Sequence, residues 1–424
     1  MLSAEHRAIV KATVPVLESG GEALTTHFYN KMLSEYPEVR PMFNQAHQAS
    51  GAQPRALANG VLMYARHIDE LEKLGGLVGQ IINKHVALDI QPEHYPIVGR
   101  CLLASIREVL GAEIATDAVI EAWAAAYGQL ADLLIGLEEG IYSERENAPG
   151  GWRGTRRFVV ARKEKESDEI TSFYLVPEDG GALLDFHPGQ YIGLRLFIDG
   201  EELRRNYSLS AAPNGREYRI SVKREANGKV SNFLHEHVGE NSVLDLYPPA
   251  GDFKLEHNDK PLVLISGGVG ITPTLAMLQA ALETKRPVHF IHSARHGGVH
   301  AFRAAIEELA ARHPQLKRFY CYEHKRDGDL EAHGIGFVDE TLLDTWLPKN
   351  RDVDAYFLGP KAFMKAARRS SLKLLLKMML LIQNRATLPK PASTPSPVTS
   401  CRKPKPSGSC SLRWSLTASN MNTV

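Results

Sequence analysis

From the N-terminus to about residue 140, apolar residues return at every third or fourth position, as in LLASIREVLG and VIEAWAAAYGQLADLLIGL. That spacing puts them on one side of a helix, so residues 1–140 are expected to form an all-helical domain. Beyond the connector NAPGGWRG the period changes. RRFVVARK, ITSFYLVP, YIGLRLFI, YRISVKR and SVLDLYPP are short β-rich runs, with turns supplied by Asp179-Gly180, Asp199-Gly200, Asn214-Gly215 and Asn227-Gly228. They predict an antiparallel barrel or sandwich over 151–256. Residues 257–370 then read as strand (PLVLIS), Gly-rich turn (GGVG), helix (ITPTLAMLQAALE) and strand (VHFIHSA), a βαβ unit of a parallel α/β sheet. After Ser370 a Leu/Lys/Met run gives way to PKPASTPSPVTSCRKPKPSGSCS. This composition cannot pack a core, and 371–424 is read as an aberrant, disordered tail.

Composition narrows the partners. The chain has 424 residues, 43% of them hydrophobic, and 50 basic against 49 acidic side chains. Its apolar content suffices for several cores, and its near-neutral charge gives no field to gather nucleic acid or a membrane surface. Cys101, Cys321, Cys401 and Cys410 form no CxxC pair, which argues against zinc and disulfides and suits a reducing cytoplasm. MLSAEHRAIV has no apolar signal core, and LKLLLKMMLLI at 372–382 is too short to span a bilayer and carries lysines.

The chemistry of the helical domain centres on INKHVALDIQPEHYPIVGR, which holds His85 and His94. Haem iron in a helical pocket needs an imidazole on one side, apolar walls, and a polar group opposite to meet a diatomic ligand. Upstream lie HFYNKM, PMFNQA and QPRALANGVL. With these segments the chain resembles bacterial flavohaemoglobins: Phe28, Tyr29, Phe43, Gln53 and Leu57 match their distal pocket, and His85, Tyr95 and Glu138 follow in family order. The resemblance implies that His85 is the iron ligand. It also implies that Tyr95 and Glu138 draw on the other ring nitrogen to strengthen it, and that Tyr29 hydrogen-bonds the dioxygen ligand. Pro54, directly after Gln53, requires the distal helix to begin or bend there. His94, His27, His47 and His67 are read as bystanders.

The same resemblance extends to the reductase half, whose fold it implies to be ferredoxin reductase-like: an antiparallel β-barrel FAD domain followed by an α/β nucleotide-binding domain. RNYS fits an R-x-Y-S flavin motif through Arg205, Asn206, Tyr207 and Ser208, with Gln190 and Tyr191 upstream as flavin contacts and Gly228, Val230 and Ser231 downstream as a diphosphate segment. SGGVGITP supplies Gly268, Val269, Gly270, Ile271, Thr272 and Pro273, a Gly-rich turn where backbone can approach a pyrophosphate. YFLGP supplies Gly359 and Pro360, the second nicotinamide loop. Arg295 is placed to meet a 2′-phosphate, leaving the cosubstrate as NAD(P)H.

The activity implied is that of a nitric oxide dioxygenase. Such an enzyme uses haem b, FAD and NAD(P)H to turn nitric oxide and dioxygen into nitrate, as a cytoplasmic monomer with no obligatory membrane and no nucleic-acid partner. A gas-binding or sensing globin with a disabled reductase half, and a general flavin-dependent reductase, remain open. Two departures stand out. Leu358 replaces the family's cysteine before Gly359-Pro360, and nothing after Ser370 reproduces the family's closing Phe-Gly-Pro motif. The abrupt change at Ser370 reads as a frame shift in the coding DNA.

Overall fold

The computed structural model describes residues 2–43, 52–350 and 352–367. The tail from 371 and His47 lie outside the described residues. The N-terminal part is helical, as the period predicts: α1 (Ala4–Ala12), α2 (Val14–Glu35), α3 (Ala52–Arg66), α4 (Gly75–Ala87), α5 (His94–Ile114) and α6 (Asp117–Asn147). Ser3 opens α1 by accepting from the His6 N–H at 3.0 Å, and Thr116 opens α6 by accepting from the Val119 N–H. The apolar stripes meet in a core around Leu24, Phe28, Met32, Ile106 and Trp123. Pro54 lies in the first turn of α3, where its missing N–H has no intrahelical role, and its carbonyl accepts from the Thr25 hydroxyl of α2 at 2.8 Å. Helix α3 therefore begins just before this proline rather than bending there.

Strands β1 (Arg156–Lys165), β2 (Ile170–Pro177), β3 (Tyr191–Ile198), β4 (Glu201–Ser208), β5 (Tyr218–Lys223) and β6 (Val243–Leu246) form one antiparallel sheet in the order β4-β3-β6-β1-β2-β5. A bridge between Leu209 and Ile220, with the Ser210 N–H donating to Arg219 O at 2.8 Å, brings the outer strands together and closes the sheet into a barrel. Phe158, Phe173, Ile192, Leu194 and Tyr218 fill its interior. Helix α7 (Lys229–His237) follows β5.

The third unit is a parallel sheet of β7 (Leu262–Gly267), β8 (Val288–Ala294), β9 (Leu316–Tyr322), β10 (Gly334–Ile335) and β11 (Asp354–Leu358), in the order β10-β9-β8-β7-β11. Helices α8 (Ile271–Leu282), α9 (Arg303–Arg312) and α10 (Glu340–Trp346) accompany it. Every residue of β7 and β8 is buried, as expected of parallel strands covered on both faces.

One of those buried residues is His292. Its ring lies 4.5 Å, centre to centre, from that of His300, and its Nδ1 is 2.8 Å from the Ser266 hydroxyl. Burial holds His292 near 3 against an ordinary 6.5, and burial with the nearby His292 and Arg303 holds His300 well down. A histidine buried neutral binds fewer protons folded than unfolded, so its contribution is complete above 6.5 and is lost as pH falls from there. Unfolding of this domain should become easier by about 1.4 kcal/mol per pH unit and per histidine below that point. Urea titrations from pH 7 to 5 check this; His292→Gln should flatten the slope.

Candidate functional site

Helix α4 carries His85 in its last turn. His85 Nδ1 lies 2.7 Å from Glu138 Oε1 on α6 and 3.2 Å from the Tyr95 hydroxyl on α5. The Tyr95 hydroxyl itself donates to the same Glu138 oxygen at 2.7 Å. Glu138 is almost fully enclosed, with a side chain 3% exposed, so the buried carboxylate requires both donors. Nδ1 is thereby fixed as the protonated nitrogen, and Nε2 is left as the lone-pair atom of a part-exposed ring. Burial and then Glu138 push the Tyr95 hydroxyl far above its usual range, so it stays a proton donor. The Tyr95 carbonyl accepts from the Tyr127 hydroxyl at 2.7 Å, holding α5 against α6.

Across the domain, Tyr29 packs edge-on against Phe28 and Phe43, with ring centres 5.0 and 5.6 Å apart. Burial raises its phenol pKa, which keeps it a hydrogen-bond donor. Leu57 is packed against the same core, and Gln53 lies half-buried in the first turn of α3. The bystander histidines separate from His85. His94 Nδ1 accepts from the Gln91 N–H at 2.9 Å at the start of α5, and His27 pairs with Glu108 at 2.6 Å on the surface.

In the barrel, Arg205, Asn206, Tyr207 and Ser208 close β4. Arg205 Nε and Asn206 Oδ1 are buried without a hydrogen-bond partner, although Arg205 Nη1 donates to the Arg204 carbonyl at 2.7 Å. Gly228, Val230 and Ser231 open α7, and a Cβ on Gly228 would lie 2.3 Å from the Ser231 hydroxyl. The Gln190 amide is held within the protein: Oε1 accepts from the His187 N–H at 2.8 Å and Nε2 donates to the Gly251 carbonyl at 3.1 Å. It braces the chain around Tyr191, whose ring packs on Ala87 of the globin unit and on Ala250.

Between barrel and α/β unit lies a cleft of about 480 Å³, reached by Ser208 on one side and by Gly268, Val269, Gly270, Thr272, Arg295, Gly359 and Pro360 on the other. Gly268 has φ of +54°, and a Cβ on Gly270 would come 2.3 Å from the Leu358 carbonyl, so both positions require glycine. Ile271 and Pro273 begin α8, behind that turn.

Family models match the chain in three places: a globin at 26–134, an oxidoreductase FAD-binding domain at 157–255 and an oxidoreductase NAD-binding domain at 264–369. Flavohemoproteins of Burkholderia sp. (strain TH2) and Pseudomonas aeruginosa are 78% and 68% identical over 369 residues, 87% of this chain and 94% of each relative. The chain belongs to the flavohaemoprotein family. Its fold agrees with a solved flavohemoglobin from Malassezia yamatoensis, described with bound FAD and heme, at 28% identity and a TM-score of 0.75. That match covers 88% of this chain and 96% of the other. This flavohaemoprotein is an oxidoreductase with haem, FAD and NAD(P)H as its cofactors.

Its residues fit those groups. Nε2 of His85 is free to ligate, the orphaned Arg205 and Asn206 atoms await polar partners, and the glycine turn leaves room for a phosphate. The motifs missed some of the site. Arg295 is paired with Glu169 of the barrel loop, and Glu169, Lys223, Glu225 and Glu323 all line the cleft. Phe363 is also in its wall, with its ring where Cβ atoms on Gly267 or Gly359 would fall, at 2.9 and 2.6 Å. Only the FM after YFLGP marked its position in the sequence.

Proposed function

We propose that the chain is a nitric oxide dioxygenase acting on nitric oxide and dioxygen in the cytoplasm as a monomer, with NAD(P)H as electron donor. The observation that carries this reading is the Glu138–Tyr95–His85 chain of hydrogen bonds, built in one polypeptide with a flavin barrel and a nucleotide cleft. A gas carrier does not need its ligating imidazole tied to a buried carboxylate, whereas a centre that must push electron density onto its ligand does.

When bound, haem, FAD and NAD(P)H would supply the redox chemistry by which two electrons from NAD(P)H, two nitric oxide and two dioxygen molecules give two nitrates. The protein's part is positional. Glu138 accepts the Nδ1 proton of His85 and fixes the ring plane, and Tyr95 limits the charge that Glu138 must carry alone. Tyr29, backed by Phe28 and Phe43, presents a phenol proton in a pocket with apolar walls. Leu57 and the distal helix exclude water. Arg205 and the start of α7 place two donors for a diphosphate, and the Gly268–Gly270 turn lets a second pyrophosphate approach the backbone. Arg295, already paired with Glu169, would have to leave that partner to meet a 2′-phosphate, which makes NADH the easier cosubstrate.

Purified protein with haem and FAD contents determined should consume nitric oxide when NADH and dioxygen are present, with nitrate as product. Tyr29→Phe should slow this by about 10²-fold or more while haem is retained, because one positioned donor to a charged ligand is lost. Full occupancy without consumption would leave a gas-binding globin. NADH turnover by the fully loaded, unaltered protein without nitric oxide loss, unchanged in His85→Ala, would leave a general reductase.

A further inference from the structure

The loop that follows His85 is held from outside its own domain. Helix α4 ends in a Schellman motif: the Ile90 N–H donates to the His85 carbonyl at 3.0 Å, and the Asp89 N–H donates to the Val86 carbonyl at 3.3 Å. Asp89 sits at φ of +55°, a position that ordinarily takes glycine, so this cap is strained at its turning residue. The cap leaves the Leu88 carbonyl unsatisfied within the helix. Arg204 of β4 fills that gap, its Nη1 donating to Leu88 O at 2.5 Å. Arg204 is itself held by Glu202 Oε1, 2.7 Å from its Nε, and lies over the Tyr247 ring at 5.2 Å.

Arg204 is next to Arg205 in sequence, yet strand alternation turns the two side chains to opposite faces of β4. The same face of the barrel meets α4 again at Gly193, where a Cβ would come 3.1 Å from the Ala87 carbonyl, and at Tyr191, whose ring packs on Ala87. One strand therefore turns Arg205 and Tyr207 of the flavin motif to one side, while Arg204, which grips the end of the His85 helix, shares the other side with Asn206 and Ser208.

We infer that Arg204 is a positioning residue which caps the His85 helix in trans and so fixes the flavin strand against the haem side for electron transfer between them. The step moves one electron at a time from reduced flavin to ferric haem, with NAD(P)H as the reductant, and in this it rests on the function proposed above. Because the His85 carbonyl is itself part of the cap, loosening Leu88 frees the ligand-bearing turn as well as the interface.

The test is anaerobic rapid mixing of the holoprotein with NADH, following flavin and haem absorbance separately, together with amide exchange at residues 88–90. In Arg204→Leu, haem reduction should slow about ten-fold, the loss expected of one charge-assisted hydrogen bond, while FAD content and flavin reduction stay unchanged. Exchange at residues 88–90 should quicken by a similar factor. Arg204→Lys, which keeps a donor, should recover part of both. Unchanged haem reduction in Arg204→Leu overturns the inference. So does a parallel fall in FAD content and flavin reduction, which would make Arg204 a support for the barrel alone. If the unaltered protein fails to reduce its haem, the parent reading falls; unchanged exchange at 88–90 then overturns the clamp by itself.

Discussion

Replacing His85 with alanine is expected to give a folded protein that keeps FAD but purifies without haem and has lost nitric oxide consumption by more than about a hundredfold. Outer-shell partners of metal ligands are typically worth 10–100-fold, and the ligand itself must exceed them. Alanine is favourable at the end of α4, so the helix should survive. The cost falls on Glu138: with a side chain 3% exposed, its Oε1 would keep only the Tyr95 hydroxyl as donor. Leaving a buried carboxylate short of one partner costs about 1–3 kcal/mol, seen as a lower denaturation midpoint of the globin unit. Glu138→Gln should be milder, retaining haem because Nε2 is still free to ligate, but lowering turnover by roughly 10–100-fold. The measurements are the haem absorbance band, NADH-driven ferricyanide reduction as a flavin-only control, and nitric oxide loss. Ferricyanide reduction should be unaffected, since the nucleotide cleft is built entirely by residues 169–363. Undiminished haem content in His85→Ala would refute the ligand assignment.

What could be read in the sequence depended on whether a feature is local or built from distant parts. The period change at the connector separates helices from strands because each period reports which face is buried, and the observed α5, α6 and β7 follow it closely. The boundary near residue 140 is different. The apolar stripe fades there, but IYSEREN continues as helix to Asn147 because Glu and Arg are good helix formers. It stops only where Ala148, preceding Pro149, is forced to extended backbone at ψ of 152°.

His85, Tyr95 and Glu138 were legible through family order alone, since nothing in their spacing requires that three helices bring them to one oxygen atom. Contacts between units left no local trace. Glu169 and Arg295 are 126 positions apart, and Arg204 and Leu88 are 116 apart. Asp89 likewise has the composition of an ordinary surface turn, and only its backbone angle marks it as the hinge of the proximal cap. A reading by motif sees Arg205 as the important residue of β4 and passes over the neighbour that faces the globin.

Arg205→Leu should separate FAD affinity from stability, which makes it the more discriminating substitution. Arg205 Nε is buried with no partner in the protein, and burial lowers the pKa of the guanidinium. Leucine, though shorter, removes that buried charge, so FAD-free protein should be about as stable as the parent. With FAD the charge is needed, because the diphosphate would be the missing partner. Loss of one side of a buried charged pair costs about 2–5 kcal/mol, which is a fall in FAD affinity of roughly 30- to several-thousand-fold. Fluorescence titration of apoprotein with FAD measures the affinity, and thermal melts with and without FAD measure the stabilities. Haem content should stay at the parent level, and saturating FAD should restore nitric oxide consumption in proportion to occupancy. FAD affinity unchanged by this substitution would place the diphosphate elsewhere. A destabilised FAD-free protein would mean that Arg205 holds the barrel together through its bond to the Arg204 carbonyl rather than waiting for a ligand.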